Sequence, residues 1–291
     1  MQVRDKVMDG KSLAERLKSS LREEVLSLRR KGIVPTLAVI LVGRDPSSIK
    51  YVESKKKDCS EIGIKSIDIR IPEGTPKREI LERIKELNSE EKVHGILVQL
   101  PVPGVDEKDV IREISPDKDV DGLSPYNMGK LMIGDYSLRE SLIPCTPKGV
   151  MILLKEYGVE IKGKHAVVIN RSNLVGKPLQ KLLLDEDATV TICHSKTVNI
   201  EEITRMGDIV VSAVGRRPKF HIGSEMLKDG VVAIDIGMSF LEGKLMGDFD
   251  FEEVLEKVSK ITPMPGGVGP MTRYSLLENT VIATKINEGI I

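Results

Sequence analysis

Tyr51 and Lys55 stand four residues apart in Ser48-Ile49-Lys50-Tyr51-Val52-Glu53-Ser54-Lys55-Lys56-Lys57. In a helix that spacing brings a phenol and an ammonium to one face, one turn apart. A lysine whose pKa is lowered by burial or by a neighbouring cation acts as a base or proton donor near neutral pH, which an exposed lysine does not. An ordinary solvated helix face carries the same pair, so the spacing alone leaves both readings open. Gln99 ends an apolar run in Val98-Gln99-Leu100-Pro101, at the carboxyl edge of a strand, where open α/β sheets bind ligands. Asp121 lies in Asp117-Lys118-Asp119-Val120-Asp121-Gly122, which sets carboxylates on a loop. As single residues, Gln99 also reads as a strand-end cap and Asp121 as a turn-forming Asx residue.

A second group of residues suits phosphate. The apolar stretch His165 to Ile169 is followed by Asn170-Arg171-Ser172-Asn173-Leu174-Val175-Gly176-Lys177-Pro178, where a dinucleotide fingerprint would supply three glycines. Gly176 is the one glycine of that turn. Asn170 and Asn173 tolerate left-handed geometry, and the helix N-terminus that follows suits a phosphate, although an ordinary βα loop accounts for the turn equally well. After the next strand stands Cys193-His194-Ser195-Lys196-Thr197, where an NAD domain places an acid for the ribose 2′-hydroxyl. Hydroxyls and a cation there, with Arg171 and Ser172 approaching from the first turn, favour a 2′-phosphate and hence NADP. Pro263-Met264-Pro265-Gly266-Gly267-Val268-Gly269-Pro270 is too glycine-rich and proline-stiff for a plain connector; its backbone can pass close to a ligand.

The elements that must position these groups alternate. Ser12-Leu13-Ala14-Glu15 has the form of a capping box, with a helical stripe through Leu28. Strands are expected over Thr36 to Val42, Lys65 to Ile71 and Val93 to Leu100, and helices over Ser47 to Glu61 and Lys77 to Leu87. Pro116 to Pro147 reads as long loops with one short helix. A second alternating block follows, with strands at 165–169, 188–193, 208–214 and 231–236 and helices at 148–157 and 177–184. A last helix, Thr272 to Glu288, is surplus to that sheet and is expected to pack on the first domain. This βαβ order implies an α/β fold with parallel sheets.

Composition sets the outer bounds. At 291 residues, two ordinary domains each bury a core. Lys plus Arg number 44 and Asp plus Glu number 44, so no net field recruits nucleic acid or an anionic membrane. Cys59, Cys145 and Cys193 lack metal-ligand spacing and suit a reducing cytosol, so no metal is expected. No stretch is long and apolar enough to be a signal core or a membrane span, which makes the expected location cytoplasmic.

Together the motifs resemble the bifunctional methylenetetrahydrofolate dehydrogenase/cyclohydrolase (FolD) family. Tyr51-x3-Lys55, Val98-Gln99-Leu100-Pro101, Asp119-Val120-Asp121-Gly122, Pro144-Cys145-Thr146-Pro147-Lys148-Gly149, Arg171-Ser172-x2-Val175-Gly176-x-Pro178, Cys193-His194-Ser195-Lys196-Thr197 and Pro265-Gly266-Gly267-Val268-Gly269-Pro270-Met271-Thr272 occur in that family's order, across essentially the whole chain. The resemblance implies oxidation of 5,10-methylenetetrahydrofolate with NADP⁺, then hydrolysis of the methenyl product to 10-formyltetrahydrofolate. It implies two domains with a cleft between them: 1–143 with 272–291 binding folate, and a Rossmann-like NADP-binding domain over 144–271. Lys55 then handles the water and its proton, Gln99 holds the lysine, Tyr51 orients the folate and Asp121 accepts from the pterin. Leu100, Pro265, Gly266 and Gly267 line the substrate site. Asn170, Arg171, Ser172, Val175, Gly176, His194, Ser195, Lys196, Thr197, Val214, Gly215, Asp235 and Gly237 bind the cofactor, and the protein forms a homodimer. The chain departs from the family pattern in three places. Asn170 replaces a glycine, the turn from Gly215 to Pro218 is one residue longer, and Arg273 and Tyr274 replace small or apolar residues. These departures keep two other expectations in view: a cyclohydrolase with impaired cofactor use, and another two-domain NADP oxidoreductase.

Overall fold

The computed structural model describes residues 3–241 and 243–291. The chain divides into two compact units: Arg16–Cys145 with Arg273–Ile291, and the N-terminal segment through Glu15 with Thr146–Thr272.

In the first unit, β1 (Thr36–Val42) lies between β2 (Lys65–Ile71) and β3 (Gly95–Val98), all parallel. Every residue of β1 is buried, as a central strand covered on both faces requires. The edge strand β2 is only partly buried, which is why its sequence alternates between apolar and polar. Ile40, Val42, Ile80, Ile84, Ile96, Val98 and Val110 join the sheet to its covering helices in one core. The helix Pro46–Ile62 begins at Asp45, whose carboxylate accepts from Ser48 N at 2.7 Å, and stops at Gly63 in the left-handed conformation. Past β3 the chain makes a helix at Glu107–Glu113 and a turn at Pro116–Lys118, and Asp119 then bridges to Ile96 beside β3. The expected short helix is Pro125–Ile133, between a Ser124 cap and Gly134. The helix Glu107–Glu113 escapes sequence reading because it buries Val110 alone.

The C-terminal helix runs Val268–Asn287, starting four residues before the expected Thr272. Pro270 is tolerated there because first-turn N–H groups have no intrahelical partner to lose. From Arg273 onward this helix belongs to the first unit, with Leu276, Leu277, Val281 and Ile282 buried. The capping box at Ser12 is not what starts the first long helix, Gly10–Arg30. Asp9 does so, accepting from both the backbone N–H and the hydroxyl of Ser12, and the Ser12 bonds hold its carboxyl below the usual range. A carboxylate one turn earlier out-competes the serine as acceptor.

The second unit holds β4 (His165–Ile169), β5 (Thr189–Cys193), β6 (Ile209–Ser212) and β7 (Val231–Asp235). A two-stranded hairpin of β8 (Ser239–Leu241) and β9 (Lys244–Met246) follows, and then β10 (Val258–Ile261). The parallel sheet has order β10-β7-β6-β4-β5. From β4 the chain steps outward to β5 and then crosses to β6 on the other side, so the topological switch point lies at the carboxyl ends of β4 and β6. That rim is where a doubly wound sheet takes its ligand. The expected elements of this block are present, and the structure adds the helices Ile200–Met206 and Phe251–Val254, a turn at Ser224–Met226, the β8–β9 hairpin and the edge strand β10.

Candidate active site

Helix Pro46–Ile62 carries Tyr51, Lys55 and Asp58 on successive turns of one face. Lys55 Nζ donates to Gln99 Oε1 at 3.0 Å. The amide is itself pinned, because Gln99 Nε2 donates to Leu100 O at 2.8 Å and its backbone N–H to Ile40 O at 2.9 Å. The carboxyl edge of β3 therefore aims an acceptor at the lysine. Burial raises the pKa of Asp121, and the Asp119 carboxylate adds to the rise. The Lys55 ammonium and the Cys145 thiol pull the other way. The structure thus brings Lys55, Gln99 and Asp121 together, with Tyr51 40 % exposed on the same helix face.

Asp58, one turn beyond Lys55, would compete for its ammonium if it were unpaired. Lys18 Nζ meets Asp58 Oδ1 at 2.6 Å, and Arg273 Nε stands 3.4 Å from Oδ2. Lys18 therefore hydrogen-bonds one oxygen of this buried carboxylate, Arg273 faces the other as an ion pair without a hydrogen bond, and Lys55 is left to Gln99. Arg273, one of the departures seen in the sequence, also acts on Tyr51: burial raises the phenol's pKa and the guanidinium opposes that rise. Tyr274, the other departure, is buried, and its hydroxyl donates to Glu278 Oε1 at 3.0 Å, which also accepts from Arg139.

In the second unit the turn after β4 is built by a side chain. Asn170 Oδ1 accepts from Ser172 N at 2.8 Å, Ser172 Oγ at 2.7 Å and Gly176 N at 3.1 Å, while its Nδ2 donates to Ala213 O at 2.6 Å. The carboxamide closes the loop and ties β4 to the end of β6, so a glycine at 170 is not needed for a compact turn. Gly176 is required, because a β-carbon there would stand 2.1 Å from Asn170 O. Val175 caps the helix Gly176–Asp185, and its N–H donates to Ser172 Oγ at 3.1 Å. Arg171 is exposed beside this turn.

After β5, His194 N donates to Thr197 Oγ1 at 2.8 Å and Lys196 N to His194 Nδ1 at 3.1 Å. His194 and Thr197 thus shape the loop, and Ser195 and Lys196 are exposed. The N–H groups of Val214 and Gly215 are held by a residue that sequence reasoning missed: Asp248 accepts from them at 2.7 and 2.9 Å and from Ser212 Oγ at 2.6 Å. Asp235 lies one layer deeper, accepting from the N–H groups of Asp248 and Phe249 at 2.9 and 3.0 Å. Burial pushes its carboxyl up to about 7. Gly237 sits against the Asp248 carboxyl group. Asp235 and Gly237 therefore support the rim from below, and no sequence motif pointed to Asp248.

Pro265, Gly266 and Gly267 belong to this second unit, where Gly266 O accepts from Lys11 N at 2.8 Å and Gly267 N donates to Pro263 O at 2.8 Å. Among the described residues no group of three or more His, Cys, Asp or Glu is placed to hold a metal ion, and no helix is long and apolar enough to cross a membrane.

The chain matches known proteins along most of its length. Residues 8–121 match the tetrahydrofolate dehydrogenase/cyclohydrolase catalytic domain, and residues 144–288 match the NAD(P)-binding domain of the same family. The bifunctional protein FolD of Halalkalibacterium halodurans is 51 % identical over 280 residues, covering 96 % of this chain and 98 % of that protein. The crystal structure of the bifunctional FolD methylenetetrahydrofolate dehydrogenase/cyclohydrolase from Campylobacter jejuni superposes with a TM-score of 0.92 at 47 % identity, covering 96 % of this chain and 98 % of the other. A Trypanosoma brucei methylenetetrahydrofolate dehydrogenase-cyclohydrolase, crystallised with NADP and an inhibitor, gives 0.89 at 38 % identity, with 96 % and 97 % covered.

Proposed function

The chain belongs to the tetrahydrofolate dehydrogenase/cyclohydrolase family, and on that premise we propose that Lys55, Gln99, Tyr51 and Asp121 form the acid–base and folate-binding centre of a bifunctional enzyme. The enzyme oxidises 5,10-methylenetetrahydrofolate to the 5,10-methenyl cation with NADP⁺ and hydrolyses that cation to 10-formyltetrahydrofolate. The observation that carries the assignment is the 3.0 Å bond from Lys55 Nζ to a Gln99 amide locked by its own backbone contacts.

Water adds to the methenyl carbon and must lose a proton. Lys55, held by Gln99 Oε1 beside the substrate, accepts that proton as the general base. An amine donates to Gln99 Oε1 as well as an ammonium does, so the lysine stays in place as the proton moves. When the hydroxyl adduct collapses, the C–N5 bond breaks as the Lys55 ammonium returns its proton to N5, the C=O forms, and the hydroxyl proton passes to solvent water as the one proton the hydrolysis releases. Tyr51 presents a half-exposed ring to orient the folate, and Asp121 accepts from the pterin N–H groups in bidentate fashion. Leu100 lines this site. In this reading residues 1–143 with 272–291 bind folate, and 144–271 bind the cofactor.

The switch-point rim fits a phosphorylated dinucleotide: a helix N-terminus at Gly176, exposed Arg171, Ser195 and Lys196, and no carboxylate from Cys193 to Thr197. Bound NADP⁺ supplies the hydride acceptor. Because the Asn170 side chain closes its turn, that departure gives no reason to expect impaired cofactor use. Ser195→Asp sets a negative charge beside the 2′-phosphate and should lower kcat/KM for NADP⁺ by about tenfold or more, with NAD⁺ much less affected. Equal effects on both cofactors would place the phosphate pocket elsewhere.

A homodimer in the cytoplasm completes the proposal. The β8–β9 hairpin, with Phe240 77 % exposed, offers an apolar surface for a second copy, and three buried free cysteines suit a reducing compartment. The functional test incubates purified protein with methylenetetrahydrofolate and NADP⁺ or NAD⁺ and follows methenyl and formyl products. Formation of both with NADP⁺ is expected. Absence of methenyl product with either cofactor removes the dehydrogenase, and formyl product from added methenyl substrate alone leaves a cyclohydrolase.

A further inference from the structure

Asn279 lies on the helix Val268–Asn287, more than a hundred residues from the loop that carries Asp121, and its side chain is completely buried. Its Nδ2 donates to Val120 O and to Ile143 O, both at 2.8 Å, and stands 3.6 Å from Cys145 Sγ. The Cys145 thiol reaches Val120 O at 3.3 Å and also interacts with the Asp121 carboxyl. On the other side of Asp121, Gly122 has φ 69°, and a β-carbon there would stand 2.5 Å from the Ile143 carbonyl carbon. The chain before and after Asp121 is thus pressed onto the segment Ile143–Cys145, and the Asn279 carboxamide bridges the two alongside the Cys145 thiol.

The loop has a second anchor that leaves this contact necessary. Asp119 Oδ2 accepts from Ser124 N at 2.7 Å and from Asn127 Nδ2 at 3.0 Å. Those bonds hold the loop two residues before Asp121 but do not set the Val120–Asp121 peptide, whose rotation swings the Asp121 side chain. Val120 O is an atom of that peptide, and Asn279 holds it at 2.8 Å alongside the longer 3.3 Å contact from the Cys145 thiol.

We propose that Asn279 is a positioning residue for substrate binding, fixing the Val120–Asp121 peptide so that the Asp121 carboxylate meets the folate ring. The inference rests on Asp121 as the folate acceptor. It assigns to the C-terminal helix a part in substrate recognition beyond covering the sheet.

Asn279→Leu keeps the volume and removes both donated bonds. With the full-length protein, KM for methylenetetrahydrofolate should rise about tenfold, equivalent to ~1.4 kcal/mol, with kcat at saturating folate within about twofold and KM for NADP⁺ unchanged. Thr284→Val is the control for helix damage alone: this buried hydroxyl bonds only to Thr280 O, one turn back, and its loss should leave KM for folate as in the wild type. Asn279→Asp supplies a donor only when protonated, so its KM for folate should climb with pH in a way the wild type does not. That variant decides the matter if the leucine variant fails to fold. An unchanged KM for folate in Asn279→Leu, an equal rise in Thr284→Val, or a flat pH profile in Asn279→Asp would each overturn the role. Wild-type protein that forms no methenyl or formyl product would instead bring down the functional reading, and this proposal with it.

Discussion

Lys55→Met should lower the rate of methenyltetrahydrofolate hydrolysis by about 10²- to 10⁴-fold, the range that a positioned acid–base group contributes. Methionine keeps the length and apolar stem of lysine but carries no proton, and Gln99 retains its bond to Leu100 O, so the site keeps its shape. Folate affinity should stay near the wild-type value, because Asp121 and Tyr51 are untouched. Hydride leaves a carbon already stabilised by two nitrogens, so oxidation depends on placement more than on proton transfer. The variant should therefore accumulate the methenyl intermediate during turnover, which its absorbance reports directly. Hydrolysis at the wild-type rate in a folded, folate-binding variant would remove Lys55 from the mechanism.

The physical reason for choosing Lys55 was only partly visible in the sequence. Its spacing from Tyr51 marks a shared helix face, and the apolar run before Gln99 marks a strand end. Neither says that Asp58, on the same face, is occupied by Lys18 and Arg273 and so leaves Lys55 to Gln99. That selection depends on partners 40 and 215 positions away (58 to 18, 58 to 273), which no local pattern encodes. The same holds at the ends of elements. β1 is legible because a central strand is apolar at every position, whereas the start of the first long helix depends on Asp9 out-competing Ser12 for the free N–H groups. Asn170, read as a departure from a glycine pattern, replaces backbone freedom with four hydrogen bonds from one carboxamide. Asp248 and Asn279 belong to no motif; each is recognisable only by the backbone groups it gathers from other elements.

Asp248→Ala should be the most damaging change in the cofactor unit. It strips the acceptor from Ser212 Oγ, Val214 N and Gly215 N together, in a site that is fully buried at residue 248. Each orphaned buried donor costs about 1–3 kcal/mol, and the combined loss should be roughly 3–5 kcal/mol of stability. The functional consequence is selective, because Val214 and Gly215 follow β6 at the switch point and reach their positions through this carboxylate. Below its lowered melting temperature the variant should show KM for NADP⁺ raised about tenfold or more. Methenyl hydrolysis, which uses Lys55, Gln99 and Asp121 in the other unit, should change by no more than about twofold. Asp248→Asn separates volume from charge: one amide oxygen still accepts, but the NH₂ group then faces backbone N–H donors, so it should fall between alanine and wild type in both stability and KM for NADP⁺. An unchanged KM for NADP⁺ in the folded alanine variant would mean that the Val214–Gly215 turn holds its shape unaided. An equal loss of both activities would mean that the damage spreads beyond the rim that Asp248 supports.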